Sequence, residues 1–316
     1  VRHRVGAVMC MRMRWRGLAC LGLCAVLAWF LADAGEVRRA AAEALALCGR
    51  SVIPALFPFL VLSILLISLG FGELVSPYLA GLMTPLFRLP GCASSALLLG
   101  LAGGYPIGAQ TAARLYREGA LTRGEAERLL TFCNNSNPVF LISVLGAGAF
   151  GSVRTGVWLW LIHILSALLA GLAFRRGGED GSPQYVTRRS ASQGPSFSTA
   201  LVEAVRGGLS GMLSVCAFVI FFYVLASPLA SLGGRLGPLL VGVTELFSMT
   251  PLLPADGFGF VLASGCAGWG GLSVLCQTAA VLEGSGLRLR TCLLGKILQG
   301  LLAAALALAL RGYVLG

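Results

Sequence analysis

The sequence predicts an all-α polytopic membrane protein with a two-fold internal repeat and two re-entrant helical hairpins. Three observations carry this. First, 57% of the 316 residues are hydrophobic, only 12% are charged and mean hydropathy is +0.84. Soluble domains carry roughly 25% charge, so most of this chain belongs in lipid. Second, one phrase is written twice: Gly103-Gly104-Tyr105-Pro106-Ile107-Gly108-Ala109-Gln110-Thr111-Ala112-Ala113 returns as Gly270-Gly271-Leu272-Ser273-Val274-Leu275-Cys276-Gln277-Thr278-Ala279-Ala280. Third, Met83-Thr84-Pro85-Leu86 returns as Met249-Thr250-Pro251-Leu252, at an offset one residue shorter. Two motifs in one order at nearly one offset argue for duplication. In so apolar a chain, duplication is the habit of secondary transporters, whose solute sits where the two repeats meet.

Taken in order, residues 1–36 read as a basic N-terminal arm and first membrane helix. Arg2, Arg4, Arg12, Arg14 and Arg16 precede the apolar stretch Gly17 to Ala32, which keeps the N-terminus cytoplasmic. An uncleaved helix is expected there, with a cleaved signal peptide ending near Asp33 as the alternative. Residues 37–174 form the first repeat. An amphipathic lead-in over 36–50 meets Ser51 to Phe71, which Pro54 and Pro58 should bend or break. A short proline-rich segment covers 73–90. The run Ala93 to Tyr116 breaks at Gly-Gly and Pro and is read as the first hairpin. Thr122 and Glu125 form a capping box for a helix running to Phe132, followed by the polar stretch Cys133 to Pro138 and a span from Val153 to Phe174. Residues 175–199 are a polar cytoplasmic linker with four arginines. Residues 200–316 form the second repeat. It should open like the first over Leu201 to Ala226, continue through Leu236 to Pro254 and a hairpin over 258–282, and close with Leu287 to Tyr313. Eight to ten membrane segments result.

The chemistry should sit at the breaks. Where a helix resumes after a break, its free N–H groups and positive end favour an anion. Gln110, Gln277, Thr111 and Thr278 add polar side chains there; the competing reading is that they glue helices together. Asn134, Asn135, Ser136 and Asn137 supply donors and acceptors where lipid tolerates none. Glu245 lies in an apolar segment, and an intramembrane carboxylate suggests a coupling cation, a proton or a substrate amine. Lys296, the sole lysine, either faces an anion or sits at the interface, and His163 reads as a packing residue.

Other function classes find little support. The net charge of +11 comes from arginines flanking apolar spans, a membrane-anchoring pattern, so nucleic acid is not an expected partner. The ten cysteines contain no C-x-x-C pair and suggest neither a disulfide framework nor a zinc site. No catalytic triad, phosphate loop or dinucleotide fingerprint occurs, so no enzyme, metal or cofactor is expected.

The phrases G-G-Y-P-x-G-A, E-A-E-R-L-L-x-F-C-N-N-S-N-P-x-F and G-G-L-S-V-x-x-Q resemble the nucleoside-recognition Gate family, and within it the sporulation integral membrane proteins of the YlbJ type. The resemblance runs from about residue 40 to near the end, and Phe132 to Pro138 is its most specific part. It implies a fold similar to concentrative nucleoside transporters, and a protein of the outer forespore membrane of the mother cell that moves dipicolinate toward the spore. It also implies a pocket of Gly103, Gly104, Tyr105, Pro106, Gln110 and Asn134 to Asn137, completed by Glu245, Gly270, Gly271, Ser273 and Gln277. The expected partners are a small solute, dipicolinate or nucleoside-like, the lipid bilayer, a coupling cation and a second copy of the chain in a homo-oligomer. A nucleoside permease and a non-transporting scaffold or sensor are the alternative functions.

Overall fold

Proline and glycine placement decides where these helices begin, bend and stop. The computed structural model describes residues 2–176 and 195–315; residues 177–194, most of the expected linker, lie outside them. Among the described residues every regular element is helical. Five helices are long and apolar enough to cross a membrane: Ala34–Ser68, Val153–Ala173, Phe197–Ala230, Gly257–Leu282 and Leu289–Leu315. Arg16–Ala32, Ala93–Gly103 and Phe140–Ala149 are shorter apolar helices. Leucines along the long helices, such as Leu62, Leu161, Leu209 and Leu301, are exposed, as a lipid-facing surface requires.

The chain divides into two compact units, Val1–Glu43 and Ala44–Gly316. In the first, helix α1 (Arg2–Ala32) takes in the basic arm instead of starting at Gly17. Arginine, methionine and valine all accept helical geometry, and no proline interrupts them. Helix α2 (Ala34–Leu47) follows, with Arg39 paired to Glu36 and, at 2.6 Å, to Glu43.

In the second unit the bend expected at Pro54 appears as a wide π-helical turn, Cys48–Val52, leading into α3 (Ile53–Ser68). The Pro54 ring cannot accommodate the carbonyl four residues back at Arg50, so the ladder widens there. Helix α4 (Phe71–Phe87) carries Pro77 and Pro85. Helix α5 (Ala93–Gly103) stops at Gly104, whose φ of +84° favours glycine, and a cis Tyr105–Pro106 bond leads into α6 (Ile107–Arg117). The capping box is present on α7 (Arg123–Leu129): Thr122 Oγ1 accepts from Glu125 N at 3.2 Å and Glu125 Oε2 from Thr122 N at 2.7 Å. Residues 134–137 are irregular, followed by a π-helical stretch, Phe140–Ala149, and α8 (Val153–Ala173).

The later elements differ from the earlier ones. Helix α9 (Phe197–Ala230) is continuous, not interrupted as the chain is at Cys48–Val52, although the sequence predicts that the two segments open alike. Gly207, Gly208 and Gly211 keep their N–H groups, so they weaken the helix without interrupting its ladder, and Gly208 lets Val61 of α3 approach closely. The next segment is α10 (Leu236–Thr244), a break at Glu245, α11 (Leu246–Met249) and a 3-10 turn, Thr250–Leu252. Helix α12 (Gly257–Trp269) breaks at Gly270 before α13 (Gly271–Leu282), and α14 (Leu289–Leu315) ends the chain.

Both copies of the repeated phrase thus fall at helix breaks, but the arms behave differently. Helices α5 and α6 pack against each other, whereas α12 packs on α14 and α13 on α6 and α9. Gly100 and Gly108 explain the close first pair: the Cys133 carbonyl sits between them, and a Cβ on either would lie 1.8 or 2.0 Å from its oxygen. At the matching positions of the second copy stand Ala267 and Leu275, whose side chains forbid that approach.

Gly108→Ala should therefore cost at least about 1–3 kcal/mol through overpacking against Cys133. Gly81→Ala, whose Cβ meets nothing within 4 Å, should be neutral or stabilising by up to about 1 kcal/mol. Thermal unfolding of the two variants in detergent checks both.

Candidate solute-binding site

The stretch Asn134 to Asn137 is buried to within 2% of full enclosure, so each polar group needs a partner. Most find one, chiefly on distant elements, while Asn134 Oδ1 has none within the protein. Asn134 Nδ2 donates to Thr278 Oγ1 on α13 at 2.9 Å. Asn135 Nδ2 donates to the Phe132 carbonyl at 2.7 Å. The Ser136 backbone N–H donates to His163 Nε2 on α8 at 3.1 Å. Asn137 Nδ2 donates to the Ala55 carbonyl on α3 at 2.8 Å, and its Oδ1 accepts from Phe140 N at 2.7 Å, capping the π-helical stretch. Four consecutive residues thus tie α3, α8 and α13 together. Gly104 backs this loop: a Cβ there would lie 2.9 Å from the Asn137 Cβ.

Lys296 on α14 stands at the centre, only 3% exposed. Its Nζ donates to Gln299 Oε1 at 2.7 Å, to the Asn134 carbonyl at 2.9 Å and to Tyr105 Oη at 3.1 Å. The direction of these bonds follows from their ends. The Phe132 carbonyl can only accept, so Asn135 turns its NH2 there and its Oδ1 toward Gln299 Nε2, at 2.9 Å. Gln299 must then present Oε1 to Lys296. Tyr105 likewise spends its proton on the Ala267 carbonyl at 3.0 Å, leaving its oxygen to accept. Donated in this direction, the three bonds take three protons from Nζ, the number an ammonium carries. Every group bonded to it is neutral. The Tyr105 ring lies 4.9 Å from Nζ, a cation–π contact.

Beside this network is a cavity of about 20 Å³ walled by Tyr105, Ser136, Asn137, Glu245 and Gln277, with Leu56, Phe140, Val215, Leu246, Phe247 and Val274 supplying its apolar side. That volume admits about one water and no ring compound. Glu245 projects from the α10–α11 break and caps α11, with Oε1 accepting from Phe247 N at 3.1 Å and Oε2 from Ser248 N at 2.5 Å and from the Ser248 hydroxyl. Gln277 Nε2 donates to Ser273 Oγ at 3.3 Å.

Of the residues singled out in the sequence, Tyr105, Ser136, Asn137, Glu245 and Gln277 meet at the cavity, and Asn134, Asn135 and Thr278 lie in or beside the Lys296 network. Gly103, Pro106, Gly270 and Gly271 form the breaks; a Cβ on Gly270 would come within 3.0 Å of Tyr105 Oη. Gln110 and Thr111 stand outside the wall: Gln110 is half-buried on α6, and Thr111 bonds back to the Ile107 carbonyl at 2.9 Å. The two Q-T-A-A phrases therefore occupy unlike positions. Burial of Lys296 removes the interfacial reading, and His163 accepts a hydrogen bond from the loop besides packing. Gln299 was missed. Its signal was a Lys-x-x-Gln pair, one turn apart, inside an otherwise apolar final helix.

The Gate family, described as nucleoside recognition, matches residues 50–153, which include the first break and the Asn134 to Asn137 loop. The sporulation integral membrane protein YlbJ of Bacillus subtilis (strain 168) is 31% identical over 301 residues, covering 82% of this chain and 74% of the relative. The chain belongs to the YlbJ family. It is an integral membrane protein of that family, and the described helices supply the apolar spans. No solved structure matches the YlbJ-type chain.

Asn135→Leu leaves Gln299 Nε2 and the Phe132 carbonyl without partners, each worth about 1–3 kcal/mol when buried. Denaturant unfolding in detergent should show a loss of at least about 2 kcal/mol for the two groups together.

Proposed function

We propose that the chain is a permease that moves a small polar anion, dipicolinate, toward the forespore across the outer forespore membrane during sporulation. The two Gate-like repeats, 37–174 and 200–316, would alternate access to a site at the breaks. The observation that carries this reading is a small cavity, walled by polar side chains on one side and apolar ones on the other, beside interrupted helices. A break at membrane depth is tolerated only where protein or a cavity satisfies the backbone, and transporters place their solute there. The relative's name ties the family to sporulation, and the resemblance found in the sequence supplies dipicolinate.

The chemistry is compatible with that solute. A flat ring carrying two carboxylates calls for amide donors and a cation, and Gln277, Asn137 and Lys296 are of those kinds. A nucleoside is the second reading, favoured by the Gate match and by Glu245, whose carboxylate suits a sugar hydroxyl. At about 20 Å³ the cavity is closed to either, so binding requires the breaks to move apart.

Uptake of labelled dipicolinate into proteoliposomes, run beside labelled uridine, tests the reading. Saturable dipicolinate uptake that Gln277→Ala and Asn135→Ala reduce at least tenfold, with normal protein incorporation, is expected. Uridine uptake alone would favour the nucleoside reading. No flux of either from folded protein would leave a scaffold or sensor.

A further inference from the structure

We infer that Lys296 selects the charge of the transported solute: its ammonium receives a solute carboxylate in place of the Tyr105 hydroxyl. This deepens the permease reading above and rests on it. The argument starts from an imbalance. As an ammonium Lys296 donates three bonds, yet its acceptors are a phenol, a peptide carbonyl and an amide, none of which carries charge. Burying an ammonium costs several kcal/mol, and neutral oxygens offset this less well than a carboxylate does. A structural tie between α14 and the loop would be served by a neutral side chain at lower cost. An uncompensated cation fits a site whose counter-charge arrives from outside.

The route to that cation is visible in the wall. Tyr105 is both a partner of Lys296 and a lining residue of the cavity. If its hydroxyl withdraws, Nζ faces the cavity, and the ring under the ammonium can keep part of the cation–π contact meanwhile. The weakest of the three bonds by length, 3.1 Å, is the one that would exchange. Glu245 does not fill the role of counter-charge: its two oxygens are taken by Phe247 N, Ser248 N and the Ser248 hydroxyl. Gln277, on the same wall, spends one Nε2 proton on Ser273 Oγ and keeps the other to meet the far end of a planar solute.

The test is calorimetric titration of the full chain in detergent with two probes of one shape, pyridine-2,6-dicarboxylate and the neutral pyridine-2,6-dicarboxamide. The wild type should prefer the dicarboxylate at least tenfold. Lys296→Met should abolish that preference, and Lys296→Arg should retain it. Gln299→Glu places a carboxylate where Oε1 now lies 2.7 Å from Nζ and should abolish the preference by a second route, even if the methionine variant does not fold. A preference surviving in Lys296→Met or Gln299→Glu overturns the inference and leaves the permease reading standing. A wild type that binds neither probe overturns both.

Discussion

One buried ammonium organises this protein. Lys296 donates three hydrogen bonds, and the elements that accept them are the first helix break, the Asn134 to Asn137 loop and its own helix α14. Through Gln299 the network reaches Asn135 and ends on the Phe132 carbonyl. Each link is oriented by a group that can only accept, so the chain of bonds has one consistent direction. Networks of this kind reinforce one another in a low-dielectric interior and are costly when half satisfied.

The breaks give that network something to hold. Gly104 and Gly270 stop helices α5 and α12 with positive φ, and the exposed backbone ends meet protein groups instead of lipid. Around the first break the fit is tight enough that the Cys133 carbonyl occupies the space of two missing side chains, those of Gly100 and Gly108. At the second break α12 and α13 pack on other helices instead of on each other.

Much of this was legible in the sequence where the cause was local. The doubled Gly-Gly marked both breaks, Thr122 with Glu125 marked a helix start, and four polar residues between apolar runs marked a buried loop. What escaped depended on distance or on side-chain volume. Lys296 and Asn134 are 162 residues apart, and no periodicity relates them. Glu245 was noticed as a costly carboxylate, but its capping of α11 depends on a break that its apolar surroundings hide. The likeness of the two Q-T-A-A phrases suggested twin roles for Gln110 and Gln277, yet only Gln277 reaches the cavity wall. Leu275 opposite Gly108 was the warning that the copies could not fold alike. The continuity of α9 escaped for another reason, because three glycines lower helix propensity without removing a single N–H donor.

The central claim is that the groups around Lys296 act as one unit. A double-mutant cycle between Lys296→Met and Asn135→Leu, read by denaturant unfolding in detergent, tests it directly. The two side chains communicate through Gln299 rather than by a bond of their own. A cooperative network predicts that the double variant departs from the sum of the single ones by more than about 1 kcal/mol. Additivity to within about 0.5 kcal/mol would mean independent sites and contradict the account.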